Sequence, residues 1–196
     1  RQQVLRHADK AGQLPHGDGP FPLVLIAHGN FDMGVSSENG YAYLAELLAS
    51  KGYLVASIDE TFLNYSIDDV VDENDARAWL LLKHVGLFRD WSRSRGNPFY
   101  GRVDLERIAL VGHSRGGEAV AHAAAFNRLE AYPDNTAVRF DFHFAIKAVV
   151  AIAPSEDQYR PGGHSTELEN VNYLVIQGGH DADQSTFEGE KQFRRV

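Results

Sequence analysis

A serine flanked by glycines, between an apolar run and a helix-like run, is the strongest constraint on how this chain folds. Residues 112–117 read Gly-His-Ser-Arg-Gly-Gly; the apolar run 107–111 precedes them and the helix-like run 118–126 follows. A sharp strand-to-helix turn brings backbone segments very close together, so small residues are required two positions before and two after the serine. The pattern predicts a nucleophile elbow. In such a turn the hydroxyl of Ser114 projects above a sheet, beside a helix N-terminus that favours negative charge.

Apolar runs that alternate with helical patterns predict the rest of the architecture. Alternation of this kind indicates βαβ units and a mostly parallel sheet, so the predicted fold class is α/β. The first predicted helix is expected to end at Gly52. Its apolar positions on one face are Tyr43, Leu44, Leu47 and Leu48. Predicted strands cover residues 21–27, 53–58, 107–111, 146–153 and 171–177; predicted helices cover 39–51, 70–92 and 118–126, with another beginning within 185–195.

Composition and charge exclude several classes of function. A net charge of −8 argues against a nucleic-acid partner, which would favour a basic surface. No apolar run approaches the roughly 20 residues that a membrane-spanning helix needs. The chain has no cysteine, which excludes disulfides, thiol chemistry and zinc sites with thiolate ligands. The compartment and the oligomeric state are not specified by the sequence.

The order of elements, the elbow and a glycine-rich turn after the strand at 171–177 together resemble the α/β-hydrolase superfamily. The context Gly-His-Ser-Arg-Gly-Gly-Glu is similar to bacterial dienelactone hydrolases, cutinase-like polyesterases and platelet-activating-factor acetylhydrolases. The resemblance runs from about residue 21 to the C-terminus. It implies a single domain over residues 1–196, built as a three-layer α/β/α sandwich with a mostly parallel sheet. It also implies a catalytic triad in the chain order serine, acid, histidine.

The acid that the resemblance implies is Asp181, in the turn Gly178-Gly179-His180-Asp181 at the end of a predicted strand. Its role would be to hold the histidine in one tautomer and to stabilise the imidazolium. Asp183 is the alternative if the turn is built differently. Either carboxylate can also be an ordinary loop aspartate or part of an Asx-turn.

The base histidine has no obvious candidate, because no histidine follows His180. The resemblance places the base after one more strand. The expectation is therefore a fragment that is incomplete at its C-terminus, without the final strand and the histidine segment, or else a domain that has lost its base. His164 lies in a loop on the expected active-site edge and is a speculative substitute. His113, inside the elbow, is expected to pack under the turn.

The oxyanion hole is predicted after the first strong strand, where the sequence reads His28-Gly29-Asn30-Phe31. The resemblance implies one donor from the backbone N–H of Asn30, with Phe31 as the alternative register. The second donor is the N–H of Arg115, the residue after the nucleophile. Glu118 lies three residues after Arg115, a spacing that permits a local ion pair between their side chains.

The predicted function is that of a serine hydrolase that cleaves a carboxylic ester through an acyl-enzyme intermediate. Ser114 is the nucleophile, Asp181 the acid, and Asn30 and Arg115 supply the oxyanion hole. The chemistry requires neither a cofactor nor a metal, and the expected partner is a small-molecule ester. The alternative is a non-catalytic α/β-hydrolase-like domain that binds a small molecule or a protein. The acyl and alcohol groups of the substrate are not specified.

Overall fold

The computed structural model describes residues 17–32, 34–64, 73–184 and 186–196, together with the backbone of a short strand near the N-terminus. The strands are β1 (Gln3–Leu5), β2 (Phe21–Ala27), β3 (Leu54–Ile58), β4 (Val103–His113), β5 (Ala131–Tyr132), β6 (Asn135–Arg139), β7 (Ile146–Ile152) and β8 (Asn172–Ile176). The α-helices are α1 (Ala42–Ser50), α2 (Glu73–Arg93), α3 (Arg115–Phe126) and α4 (Glu188–Phe193). Short 3₁₀ turns cover Ser37–Tyr41, Thr61–Leu63 and Pro161–Gly163.

A six-stranded sheet in the order β1-β3-β2-β4-β7-β8 forms the centre of the fold. The five strands from β3 to β8 in that order run parallel, and β1 lies antiparallel to β3 at one edge. The inner strands are covered on both faces, which explains why β2 and β3 read as continuous apolar runs. The predicted α/β class with a mostly parallel sheet is confirmed.

Helices cover both faces of the sheet and produce three layers. On one face, α1 packs against Val24 and Ile26 of β2 and Val55 of β3. On the other, α2 and α3 form the larger core, in which Phe88 and Phe126 are fully buried. The predicted three-layer α/β/α sandwich is therefore confirmed.

The buried face of α1 differs from the predicted one. Ala45 and Ala49 are buried against the sheet, because small side chains let the helix axis come close. Tyr43 and Leu47, which the pattern placed on the inner face, are turned outward and are 71% and 56% exposed. The helix ends at Ser50, and Gly52 follows two residues later with a φ of +90°, a conformation that suits the glycine predicted to stop the helix.

Two features escaped prediction, and one predicted segment is described only in part. The hairpin β5–β6 carries mostly exposed side chains and has no apolar run to reveal it. Strand β1 is only three residues long. Residues 70–72, at the start of the predicted second helix, lie outside the described residues.

The strand order places a crevice at the carboxyl ends of β2 and β4. From β2 the chain moves through α1 to β3 on one side, and then through α2 to β4 on the other side of β2. Ligands in open α/β sheets bind at such a reversal of strand order. The segment after β2 and the elbow after β4 therefore meet at one edge of the sheet. None of the described helices is both long and apolar enough to cross a membrane.

Candidate active site

Ser114 sits at the junction between β4 and α3 in a backbone conformation that few non-glycine residues adopt. Its φ is +55° and its ψ is −123°. Such a conformation is strained and persists only where the surroundings hold it. Here the Ser114 N–H donates to the carbonyl of Ile152 at 3.0 Å, and the Ser114 carbonyl accepts from the N–H of Gly117 at 2.8 Å. The predicted strand, turn and helix are thus present, with α3 beginning directly after the serine.

The three glycines of the elbow are required by close backbone contacts. A Cβ on Gly112 would lie 2.0 Å from the carbonyl oxygen of Gly116. A Cβ on Gly116 would lie 2.5 Å from the carbonyl oxygen of Ala27, the last residue of β2. A Cβ on Gly117 would lie 2.8 Å from the Cβ of Pro154. The small residues that the sequence pattern singled out therefore let β2, β4, α3 and the segment after β7 meet at one point.

The segment after β2 runs directly against Ser114. Gly29 is buried, and a Cβ there would lie 2.8 Å from the Cβ of Ser114. Asn30 follows and lines the same cavity as Ser114, whereas Phe31 at the rim is 59% exposed. The N–H of Arg115 belongs to the first turn of α3, whose N–H groups have no partner within the helix. Asn30, on the cavity wall, and Arg115, the next residue after Ser114, remain the two predicted donors.

His28 supports the segment that carries Asn30 and is held in one tautomer. Its Nε2 accepts a hydrogen bond from the N–H of Glu60 at 2.9 Å, so Nδ1 carries the proton and donates to the Gly29 carbonyl at 2.7 Å. The residue is fully buried, and this burial lowers the pKa of His28 below its usual value, against the opposing effect of the Gly29 carbonyl. Because both ring nitrogens form hydrogen bonds, His28 links the end of β2 to the end of β3.

A cavity of about 580 Å³ opens over Ser114. The residues that line it include aromatic and aliphatic side chains. Sequence reasoning missed Tyr41 and Tyr43, which come from the 3₁₀ turn and from the start of α1; no local pattern signals their role. The lining residues are His28, Gly29, Asn30, Phe31, Ser37, Gly40, Tyr41, Tyr43, His113, Ser114, Ile152 and Asp183.

The two candidate acids lie on the segment after β8 but are placed differently. Asp181 Oδ1 accepts hydrogen bonds from the N–H groups of Asp183 and Gln184 at 2.9 and 3.0 Å, which forms an Asx-turn. These two bonds, first that of Gln184, lower the pKa of Asp181, and the nearby His113 lowers it further. Asp183 lines the cavity. Both carboxylates interact electrostatically with His113. The segment after β8 that carries them therefore lies at the same edge of the sheet as the elbow.

The remaining histidines occupy different positions. His113 does not pack under the turn as expected; it is half-buried, lines the cavity, and its Nδ1 lies 3.0 Å from the hydroxyl of Tyr41. Desolvation lowers the pKa of His113, although Asp181 and Asp183 oppose the shift. His164 and His180 are exposed and are not among the residues that line the cavity.

The side chain of Arg115 pairs with Glu73 in the first turn of α2, not with Glu118 as the spacing suggested. Glu118 is buried and accepts hydrogen bonds from Asn74 Nδ2 and Ser155 Oγ, each at 2.8 Å. The expectation was wrong because spacing along one helix does not reveal that the N-terminus of α2 packs beside α3. Among the described residues, no group of three or more His, Cys, Asp or Glu side chains is arranged to hold a metal ion.

Comparison with known proteins gives two findings. A family model described as Chlorophyllase matches residues 12–161 of the chain. A protein of Streptomyces coelicolor named bis(hydroxyethyl) terephthalate hydrolase is 32% identical over 107 residues. That alignment covers 55% of this chain and 29% of the Streptomyces protein, so the chain matches less than a third of that protein's length.

The environment of His28 predicts a specific pH dependence. A pKa below 6.5 in the folded state means that the unfolded chain binds more protons as the pH falls below that value. The stabilising contribution of His28 is therefore present above pH 6.5 and is lost as the pH falls through the folded-state pKa. NMR titration should show His28 changing charge below pH 6.5. The free energy of unfolding of His28→Gln should depend less steeply on pH between 7 and 5 than that of the wild type.

The exposed His164 provides the matched control. His164→Gln, which changes an exposed side chain, should leave the free energy of unfolding at pH 7 close to that of the wild type. A His28 resonance that titrates at or above pH 6.5 would contradict the assigned burial and tautomer.

Proposed function

The chain belongs to the chlorophyllase family, and from that premise we propose that it is an ester hydrolase in which Ser114 forms an acyl-enzyme intermediate. The observation that carries the proposal is the strained turn at Ser114, held at the base of a cavity beside Gly29 and Asn30. A turn of this kind costs free energy, and ordinary connections between strand and helix do not need it. The strained conformation of Ser114 is explained if its hydroxyl must face a substrate.

The first chemical step is attack of the Ser114 hydroxyl on the ester carbonyl. The carbonyl oxygen gains negative charge as the tetrahedral intermediate forms. The backbone N–H groups of Asn30 and Arg115 are the proposed donors to that oxygen, and the N-terminal end of α3 adds a favourable dipole. Removing one such donor costs about 2.7–4 kcal/mol of transition-state stabilisation in a well-studied hydrolase. The intermediate then collapses with loss of the alcohol, which leaves the acyl group on Ser114.

The second step is hydrolysis of the acyl-enzyme by water. An imidazole must take the proton of Ser114, pass it to the leaving alcohol, and then activate the water. Asp181 is the proposed acid that orients this imidazole. Its Oδ1 is held by two backbone N–H groups, an arrangement that fixes the carboxylate and leaves Oδ2 for a ring N–H.

None of the described histidines is assigned as the base. His113 lines the cavity, but it precedes Ser114 in the sequence and its Nδ1 lies 3.0 Å from the Tyr41 hydroxyl. His28 has both ring nitrogens engaged, and His164 does not line the cavity. The resemblance to the α/β-hydrolases places the base later in chain order than Asp181, and that assignment stays a prediction.

The cavity favours an ester with a flat or apolar group. Phe31, Tyr41, Tyr43 and Ile152 contribute apolar surface around Ser114. Such walls bury apolar surface of a ligand, and stacked aromatic rings add to that gain. The name of the Streptomyces relative, which refers to an aromatic ester, agrees with this substrate class. We therefore propose a small apolar or aromatic carboxylic ester as the substrate.

Replacement of Ser114 by alanine tests the nucleophile. Because the serine side chain alone forms the acyl-enzyme, Ser114→Ala should lower kcat for a chromogenic aryl ester by at least about a thousandfold. The melting temperature should change little, since the backbone contacts that hold the turn remain. Ser94→Ala, at an exposed serine after α2, is the control and should retain full activity. Equal activity of Ser114→Ala and the wild type would favour the non-catalytic binding domain for this site.

Separate replacement of the two aspartates tests the acid. Asp181→Asn should lower kcat by roughly 10³- to 10⁴-fold, because an amide cannot hold the imidazole in the required tautomer or stabilise its charged form. Asp183→Asn should lower kcat by about tenfold or less, because an exposed charge near the site contributes only a modest interaction. Measuring kcat for both variants with one substrate decides the assignment. The reverse order of the two effects would identify Asp183 as the acid.

A further inference from the structure

Four charged side chains form a continuous chain of ion pairs behind the cavity. Arg115 donates to Glu73 Oε1, and Nη2 of Arg77 approaches the same oxygen at 3.4 Å. Nη1 of Arg77 donates to Glu60 Oε2 at 3.2 Å. Glu73 is therefore the acceptor that two arginines from different helices share. We call this set of four residues the ion-pair chain.

The ion-pair chain begins and ends at the two halves of the proposed oxyanion hole. At one end lies Arg115, whose backbone N–H is one proposed donor. At the other end, the N–H of Glu60 donates to His28, and His28 donates to the carbonyl of Gly29. Asn30, the other proposed donor, is the next residue. A path of side-chain contacts thus joins two backbone segments that are 85 positions apart in the sequence.

Sheet hydrogen bonds do not extend to the two donors. The pairing between β2 and β4 ends at Ala27 and Gly112. Beyond that pair the two segments stay in close contact, since a Cβ on Gly29 would lie 2.8 Å from the Cβ of Ser114. One segment leads to Asn30 and the other into the elbow and Arg115. The ion-pair chain therefore links the segments just past the point where the ladder of the sheet ends.

Stability of the fold alone does not explain why these charged side chains are buried. Arg77 and Glu60 are fully buried, and the side chain of Glu73 is 7% exposed. Removing charges from water is costly, and apolar side chains of similar volume often stabilise a fold as well or better. Burial accordingly raises the pKa of Glu60 despite the opposing attraction of Arg77. A buried ion pair also fixes the relative positions of the two elements that carry its side chains.

We propose that Glu73 is a positioning residue, which holds the N–H groups of Arg115 and Asn30 at a fixed separation through the ion-pair chain. The inference rests on the proposed ester hydrolysis, because that function gives the two N–H groups their role. Oxyanion donors act only within a narrow range of distance from the developing charge, and small displacements lower the rate without preventing substrate binding. No residue of the ion-pair chain needs to touch the substrate through its side chain.

Replacement of Arg115 by methionine is the direct test. The variant keeps the backbone N–H and much of the apolar stem but removes the contact with Glu73. We expect kcat for an aryl ester to fall about tenfold, with KM within about twofold of the wild type. Glu73→Gln, which keeps the shape and one acceptor oxygen, should give a smaller loss of kcat in the same direction.

Arg128→Met is the matched control. Arg128 follows α3 and pairs with Glu169 at the surface, 44% and 65% exposed, so the same substitution breaks an ion pair away from the cavity. This variant should keep the wild-type kcat and KM. A purely structural role of Arg115 would lower the melting temperature and leave kcat per folded molecule unchanged, and that outcome would overturn the proposal.

NMR supplies a readout that does not depend on catalysis. In Arg115→Met, the resonances of the Asn30 backbone N–H and of the His28 Nδ1–H should shift further than they do in Arg128→Met. If the wild type hydrolyses no ester, the proposed function has failed. These resonances then decide by themselves whether the ion-pair chain couples the segment of Asn30 to that of Arg115. Shifts at both groups support the coupling. Shifts no larger than those of the control overturn it.

Discussion

The close approach of backbone atoms at the elbow is the constraint on which the rest of the site depends. The carbonyls of Ala27 and Gly116 occupy the space that side chains at positions 116 and 112 would need. Only glycine allows β2, β4 and α3 to converge this tightly. The convergence forces Ser114 into its strained conformation and places Gly29 against it. The position of Ser114, the proposed nucleophile, and those of the two proposed oxyanion donors therefore follow from one steric arrangement.

The features predicted correctly from the sequence are those with a local signal. The strands of the sheet read as apolar runs because both faces are buried, and the elbow is encoded within six consecutive residues. The features that were missed depend on contacts between distant segments. Spacing within α3 suggested Glu118 as the partner of Arg115, but the packing of α2 provides Glu73 instead. Likewise, nothing local distinguishes Tyr41 as a cavity residue.

Electrostatics divides the polar residues near the cavity into two groups. One group is largely removed from water and is held in place by its partners: His28, which lines the cavity, and Glu60, Glu73 and Arg77, which do not line it. The other group is more accessible to water and consists of Asp181, Asp183 and His113. Polar groups held by buried partners suit a reaction in which charge develops at one fixed position.

The structure of the protein after reaction with a fluorophosphonate tests the central claim most directly, because the adduct imitates the tetrahedral intermediate. The account predicts phosphorus bonded to Oγ of Ser114, with the phosphoryl oxygen within about 3 Å of the backbone nitrogens of both Asn30 and Arg115. An adduct on another residue would contradict the assignment of the nucleophile. An adduct on Ser114 whose oxygen turns away from both nitrogens would contradict the assignment of the oxyanion hole.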